Sequence, residues 1–249
     1  LLKNDDNILP LKEGQKIAIA GNMAGNMRYQ GSGSSHINPT RLIHPADVLK
    51  SSADVEEADA VIIFTGLPPE YESEGFDRDT MSMPEEQVKL IEETAAKNPN
   101  TIVVLFCGAP IETPWADKVK AILYMGLPGQ AGGEAVKNLL YGKANPSGRL
   151  AETWPVKYTD CPLAAYYPQR DAQYREGIYV GYRYYDKAGV PVRWKFGFGL
   201  SYTSFEYSNM KTSKPTLTDS ILVSVNVKNT GKRDGDEVVQ LYVSYPDSK

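Results

Sequence analysis

Apolar residues collect in three short runs in the first half of the chain: 16–20 (KIAIA), 59–66 (DAVIIFTG) and 101–108 (TIVVLFCG). Each has the length of a strand and is too short for an independent helix, and the near-continuous apolar character predicts strands buried on both faces. Residues 84–98 (PEEQVKLIEETAAKN) lie between the second and third runs, with Val88, Ile91 and Ala95 at helical spacing. Pro84 opens the first turn, acids follow it, and Lys97-Asn98-Pro99 is a stop, so an amphipathic crossover helix is expected here. Strand, helix, strand in this order predicts a parallel pair joined by a right-handed crossover. A further βα unit follows, strand 121–125 (AILYM) and helix 132–141 (GGEAVKNLLY), closed by Gly142. The expected fold is α/β, a layered, mostly parallel sheet flanked by helices.

From about Trp154 the pattern changes to Tyr, Pro and Gly punctuation without helical periodicity, and from about Tyr202 to short alternating strands. Residues 221–227 alternate, Asn229-Thr230-Gly231 is a turn signal, and 238–243 alternates again, which predicts a hairpin of a sandwich-like module. The resulting division is an α/β domain over 1–165, a Tyr/Pro/Gly-rich linker over 166–201 and a partial all-β segment over 202–249. Two strands do not make a stable sandwich. Together with the start at Leu1 without a methionine, this reads as a fragment or processed piece of a longer protein.

Composition narrows the classes. The 249 residues are 41% hydrophobic and 23% charged with a net charge of −4. That is ordinary globular usage, unfavourable to a nucleic-acid or anionic-membrane partner. No apolar run approaches the ~18 residues of a membrane span. Two cysteines, Cys107 and Cys161, are too few to staple the fold, and Cys107 at the end of an apolar run reads as a buried free thiol. With two histidines and no paired-cysteine spacing, no zinc site and no cofactor are expected. His36 and His44 read as loop hydrogen-bonders, Glu134 as a complement to its helix dipole, and Trp115 and Trp154 as packing anchors, with stacking on a ligand as the alternative.

Candidate chemistry gathers in two loops. The first, 66–83 (GLPPEYESEGFDRDTMSM), follows a predicted strand at the edge where open α/β sheets place their ligands. It sets Glu70, Glu72, Glu74, Asp77 and Asp79 against the single base Arg78. Such crowding raises the pKa of one member and makes a general acid, or else the loop is a solvated acidic surface. The second loop, 28–35 (RYQGSGSS), has glycines for a tight turn but not the spacing of a dinucleotide-binding loop.

The phrases ESEGFDR, NPNTIVVLFCGAPIETPW, GLPGQAGGEAVKNLLYGKANPSGRLAETWP, EGIYVGYRYYD and FGFGLSYTSFEYS, in this order, resemble glycoside hydrolase family 3, the β-glucosidase group. The resemblance implies an α/β sandwich beside a (β/α)8 barrel, followed by a fibronectin-III-like domain, and a retaining mechanism. It implies Glu74 as the acid/base, with Glu72 in reserve, and β-linked glucosides or oligosaccharides as substrates. The nucleophilic aspartate belongs to the barrel, and nothing in these residues resembles its segment, so this chain alone holds half a site. Ser32, Arg28 and Phe76 are the candidate sugar contacts, with a purely structural turn as the alternative for the glycine loop. Arg78 and Asp77 are the candidate loop supports, Arg78 pairing with Asp77 or Asp79. The glycine loop is expected at the same sheet edge as Glu74. The tyrosines of 174–185 resemble the family's interdomain linker. Residues 45–59 are shorter than the family's usual connection, where a further βα unit is expected, so the sheet is expected to be a strand short. The rival from another class is a non-catalytic carbohydrate-binding or scaffold module with the same fold. The residues fix no cellular compartment.

Overall fold

The computed structural model describes residues 1–167, 170–171, 173–214 and 220–244. Its strands are β1 (Lys3–Asn4), β2 (Ile17–Ala20), β3 (Ala60–Gly66), β4 (Thr101–Phe106) and β5 (Ala121–Tyr124), then β6 (Trp154–Pro155), β7 (Val192–Trp194), β8 (Phe205–Thr212) and β9 (Val223–Asn229). Its α-helices are α1 (Pro45–Val48), α2 (Glu85–Lys97), α3 (Gly132–Leu140) and α4 (Tyr182–Ala188). The main sheet runs β1-β5-β4-β3-β2, with β2 to β5 parallel and β1 antiparallel on the β5 edge.

The continuous apolar runs are explained by cover on both faces. Val61, Ile63, Val103 and Leu105 face a layer containing Ile91 of α2, Trp115 and Trp154. Ile62, Phe64, Val104 and Phe106 face the opposite layer, with Leu9, Met23 and, from α3, Val136 and Leu140. Alternation with a period of two therefore sorts one strand's side chains into two cores, so no position within β3 or β4 is free to be polar except near the ends. The helix α2 carries Glu85 and Glu86 in its first turn and Lys97 in its last, which suits its dipole. At its C-terminus Asn98 donates to the carbonyls of Val55 and Ala58, both at 2.8 Å. At its start buried Gln87 accepts from Gly66 N at 3.0 Å and from the Thr65 hydroxyl. Both ends of the loop between β3 and α2 are thus tied to one side chain.

The edge beyond β2 is closed without another strand. Ile17 N donates to Ser52 Oγ at 3.0 Å, Ser52 N to Ile17 O at 2.8 Å, and Ile19 N to Ser51 Oγ at 2.9 Å. The short 45–59 connection, reduced to the single turn α1, lays these serines along the edge.

Two expectations from the sequence change. Within 166–201, where the pattern lacks helical periodicity, the chain forms α4 and then β7. The helix buries only Tyr185, too few positions to write a period into the sequence. β7 pairs with β6, Trp194 packs edge-on against Trp154 at 5.3 Å, and Trp194 Nε1 donates to Leu2 O at 3.1 Å. The all-β segment is also paired differently. β9 joins β8 upstream, with Tyr207 opposite Val227, whereas 238–243 forms no ladder among the described residues. That stretch is held by side chains reaching back: Arg149 to Glu237 at 2.5 Å, Asn145 Nδ2 to Asp234 O at 2.9 Å and Gln240 Nε2 to Gly197 O at 3.1 Å. Alternation marks the capacity for a strand, and the partner decides its use. Cys107 is a buried free thiol, and Trp115 and Trp154 are fully buried. No helix among the described residues is long and apolar enough to cross a membrane.

Gln87→Leu should cost about 1–3 kcal/mol in urea unfolding, because it strands a buried N–H and a buried hydroxyl while keeping the volume of the side chain. A loss within error of zero would show that the Gln87 amide does not hold this junction.

Candidate active site

Because β2, β3 and β4 are parallel neighbours, the loops after Ala20, Gly66 and Phe106 leave the sheet at one edge. Their meeting is organised by Arg28, whose side chain is 6% exposed. Its Nη1 donates to Leu67 O at 2.9 Å and Pro68 O at 3.3 Å, its Nη2 to Glu72 O at 2.5 Å, and its Nε to Gln30 O at 3.4 Å. Nη1 also lies 3.1 Å from Glu72 Oε2. Glu72 points inward and its Oε2 accepts from Gly108 N at 2.9 Å. A Cβ on Gly108 would sit 2.9 Å from Glu72 Oε1, so any side chain there would displace the carboxylate.

Glu74, two residues on, points the other way. It is exposed, and its Oε2 accepts from both Ser34 N and Ser34 Oγ at 2.7 Å. Gly33 makes this possible with φ of +75°, and a Cβ there would run into the Glu74 carboxylate. The glycine loop is held open by Gln30, whose amide accepts from Ile37 N at 2.7 Å and donates to Ile37 O at 2.9 Å. The glycine loop and Glu74 therefore share one sheet edge.

The electrostatics differ from the expectation of crowding. The two Ser34 hydrogen bonds, the hydroxyl first, lower the Glu74 carboxyl below its ordinary value of 4.5. The carboxylates splay apart, Glu72 going to Arg28 and Glu74 to Ser34, so mutual repulsion does not decide. Instead Glu152, outside the loop, is raised, first by burial and then by the Glu72 charge. Burial and the same charge push the Cys107 thiol up, which removes it as a nucleophile.

The remaining candidates are placed as follows. Ser32 is half-buried, and its carbonyl accepts from Ser35 Oγ at 3.2 Å. Phe76 is 48% exposed beside Glu74. Arg78 pairs with neither Asp77 nor Asp79 among the described residues; its Nη1 donates to Pro110 O at 3.3 Å, tying the acid loop to the loop after β4. Asp77 is exposed. His44 accepts from Met27 N at 3.1 Å, and His36 faces Gln30 at 3.2 Å. Among the described residues no group of three or more His, Cys, Asp or Glu is placed to hold a metal ion. Ser34, Gln30 and Gly108 escape the sequence reading. Ser34 stands in the GSGSS run, but which serine reaches Glu74 is set by the left-handed turn at Gly33. Gln30 and Gly108 act through backbone contacts that leave no pattern.

Residues 1–202 match the family model described as the glycosyl hydrolase family 3 C-terminal domain. The thermostable beta-glucosidase B of Acetivibrio thermocellus is 46% identical over 98% of this chain, which covers 37% of that relative. An exo-alpha-(1->6)-L-arabinopyranosidase of Bifidobacterium longum is 41% identical with the same coverages, 98% and 37%. The alignment with the first runs over 276 positions against 249 residues here, so that relative carries residues without counterpart in this chain. Among solved structures, the family 3 beta-glucosidase of Bifidobacterium adolescentis superposes with a TM-score of 0.85 at 40% identity, covering 93% of this chain and 38% of its own. Beta-glucosidase 3B of Thermotoga neapolitana, in complex with glucose, gives 0.84 at 28% identity, with coverages of 94% and 40%. The chain thus spans well under half the length of these relatives.

Carbon-detected NMR of the Glu74 carboxyl should give a midpoint below that of an ordinary glutamate, and Ser34→Ala should move it up. A depressed carboxylate contributes stability above its unfolded pKa that is lost as pH falls through the folded value, so Ser34→Ala should also flatten the acid arm of the stability curve. An unmoved midpoint would mean that Ser34 does not cap Glu74 in solution.

Proposed function

The chain belongs to glycoside hydrolase family 3, and from that premise we propose that it supplies the acid/base half of a retaining β-glycosidase acting on β-glucosides, with Glu74 as the proton donor and acceptor. The observation that carries this is the meeting of an exposed glutamate with the glycine loop at the ligand-binding edge of a parallel sheet, Glu74 Oε2 on Ser34 N and Oγ at 2.7 Å. The glucoside is the substrate class in the names of the Acetivibrio relative and of both solved structures. The nucleophile lies on a (β/α)8 barrel outside these 249 residues.

Retaining chemistry needs two carboxyl groups about 5 Å apart on either side of the scissile bond. In the first step the nucleophile's carboxylate attacks the anomeric carbon as the bond to the leaving oxygen breaks, and the Glu74 proton passes to that oxygen. In the second, Glu74, now a carboxylate, takes a proton from water as the water oxygen attacks the same carbon and the bond to the nucleophile breaks. The Ser34 hydrogen bonds favour the carboxylate and so serve the second step. The approach of the nucleophile's negative charge favours the protonated form that the first step requires. Phe76 offers an apolar face beside Glu74 for a sugar ring, and Ser32 a hydroxyl for a sugar hydroxyl. Arg78, with Asp77 before it, supports the loop through Pro110. Ile37, 67% exposed, and Phe76, 48% exposed, come from the two loops joined at Ser34–Glu74.

The isolated chain should not turn over an aryl β-glucoside, because general acid–base catalysis alone supplies about 10^2 to 10^4-fold. In the barrel-containing polypeptide, Glu74→Ala should lower kcat by about that factor on glucosides with poor leaving groups and much less on activated aryl glucosides, with azide restoring the latter. Azide rescue of Glu72→Ala and not of Glu74→Ala would transfer the role, and a glycosyl adduct on the isolated chain would remove the need for the barrel.

A further inference from the structure

Glu72 and Glu74 stand two residues apart in one loop and meet opposite fates. Glu74 is exposed, whereas Glu72 turns in against a buried guanidinium. Arg28 reaches three successive features of the acid loop: the carbonyls of Leu67 and Pro68 at the stem, the carbonyl of Glu72, and the Glu72 carboxylate. The carboxylate then accepts from Gly108 N on the far side, in the loop after β4. A single ion pair therefore joins the loops of three adjacent parallel strands.

Resting on the assignment of Glu74 above, we infer that Arg28 and Glu72 are positioning residues that act through Glu74, fixing the stem of the acid loop so that residue 74 emerges facing Ser34. The geometry demands arginine. A planar fork with several donors can serve two carbonyl groups at the stem, a third carbonyl and a carboxylate at once, whereas an ammonium is a point charge with no fixed fork. It equally makes Glu72 a structural anchor, since its Oε2 is shared between the Arg28 guanidinium and the Gly108 amide. Glu72 is thus an anchor where its place in ESEG makes it look like a spare acid. The groups facing Glu72 are Arg28, the Gly108 amide and, at longer range, Glu152, Cys107 and Tyr124, each of which feels the Glu72 charge.

The test has two arms. In the 249-residue chain, the Glu74 carboxyl is titrated by carbon-detected NMR in Glu72→Ala, Glu72→Gln and Arg28→Lys, with thermal unfolding as the check on folding. Glu72→Ala and Arg28→Lys should each move the Glu74 midpoint up to that of an unassisted glutamate, as Ser34→Ala does. Glu72→Gln keeps an acceptor for Gly108 and should fall between. In the barrel-containing polypeptide, Glu72→Ala should lower kcat about tenfold with KM within twofold, and azide should not restore it. A Glu74 midpoint unchanged in all three folded variants would overturn the inference. Should Glu72→Ala unfold the chain, Glu72→Gln and Arg28→Lys decide it by the same titration. If Glu74→Ala retains full turnover, the acid/base assignment falls by itself, while the titration still reports whether the clamp places residue 74.

Discussion

Arg28 is buried beneath the loops it joins, and a guanidinium removed from water is tolerable only if its donors find acceptors of sufficient quality. That demand shapes the active edge. It draws in the carbonyls of Leu67, Pro68 and Glu72, neutralises its charge on the Glu72 carboxylate, and through that carboxylate reaches Gly108. An interaction of this kind adds little net stability compared with a hydrophobic replacement, but it admits few alternative geometries. The acid loop is long and rich in like charges, and it is the part of the molecule most in need of one geometry. Gln87 of α2 takes the Thr65 hydroxyl and the Gly66 amide, so the segment between β3 and α2 is fastened at its feet, and Glu74 in its middle is held by Ser34.

The main sheet is readable from the chain because its physics is local and repeated. Runs such as AVIIF and TIVVLF are apolar at every position since both faces are covered, and α2 carries its period, its acids and its stop in one stretch. Exposed Glu74, the proposed acid/base, stands in the ESEGFDR phrase in the loop after β3. What the chain does not disclose is set by single contacts. Nothing in ESEG distinguishes an acid turned outward from one turned inward, because the distinction lies in a guanidinium forty-four residues away. Nothing in GSGSS selects Ser34 over Ser32, because the selection is made by the left-handed turn at Gly33. The stretch 238–243 alternates, but among the described residues its backbone joins no strand, and side chains such as Arg149 and Gln240 fix it instead.

The proposed half of a two-carboxylate site is a chemically specific object. The Ser34 bonds favour the Glu74 carboxylate, and in the proposed cycle that is the form of the later stage. Reaching the earlier stage requires a nearby negative charge or loss of those bonds. The division of labour follows: the glycine loop orients the carboxylate, and whatever faces it sets the protonation.

The serines along the outer edge of β2 carry a different consequence. A strand edge offers donors and acceptors at a fixed spacing, and Ser51 and Ser52 satisfy several of them with two hydroxyls and one amide in the space of two residues. The sheet therefore ends cleanly at β2, and the same connection is tied at its far end to α2 through Asn98, which holds the carbonyls of Val55 and Ala58. The connection from Pro45 to Asp59 thus finishes one border of the sheet with hydroxyls in place of a strand, on the same strand whose other end sends out the loop of Arg28 and Ser34.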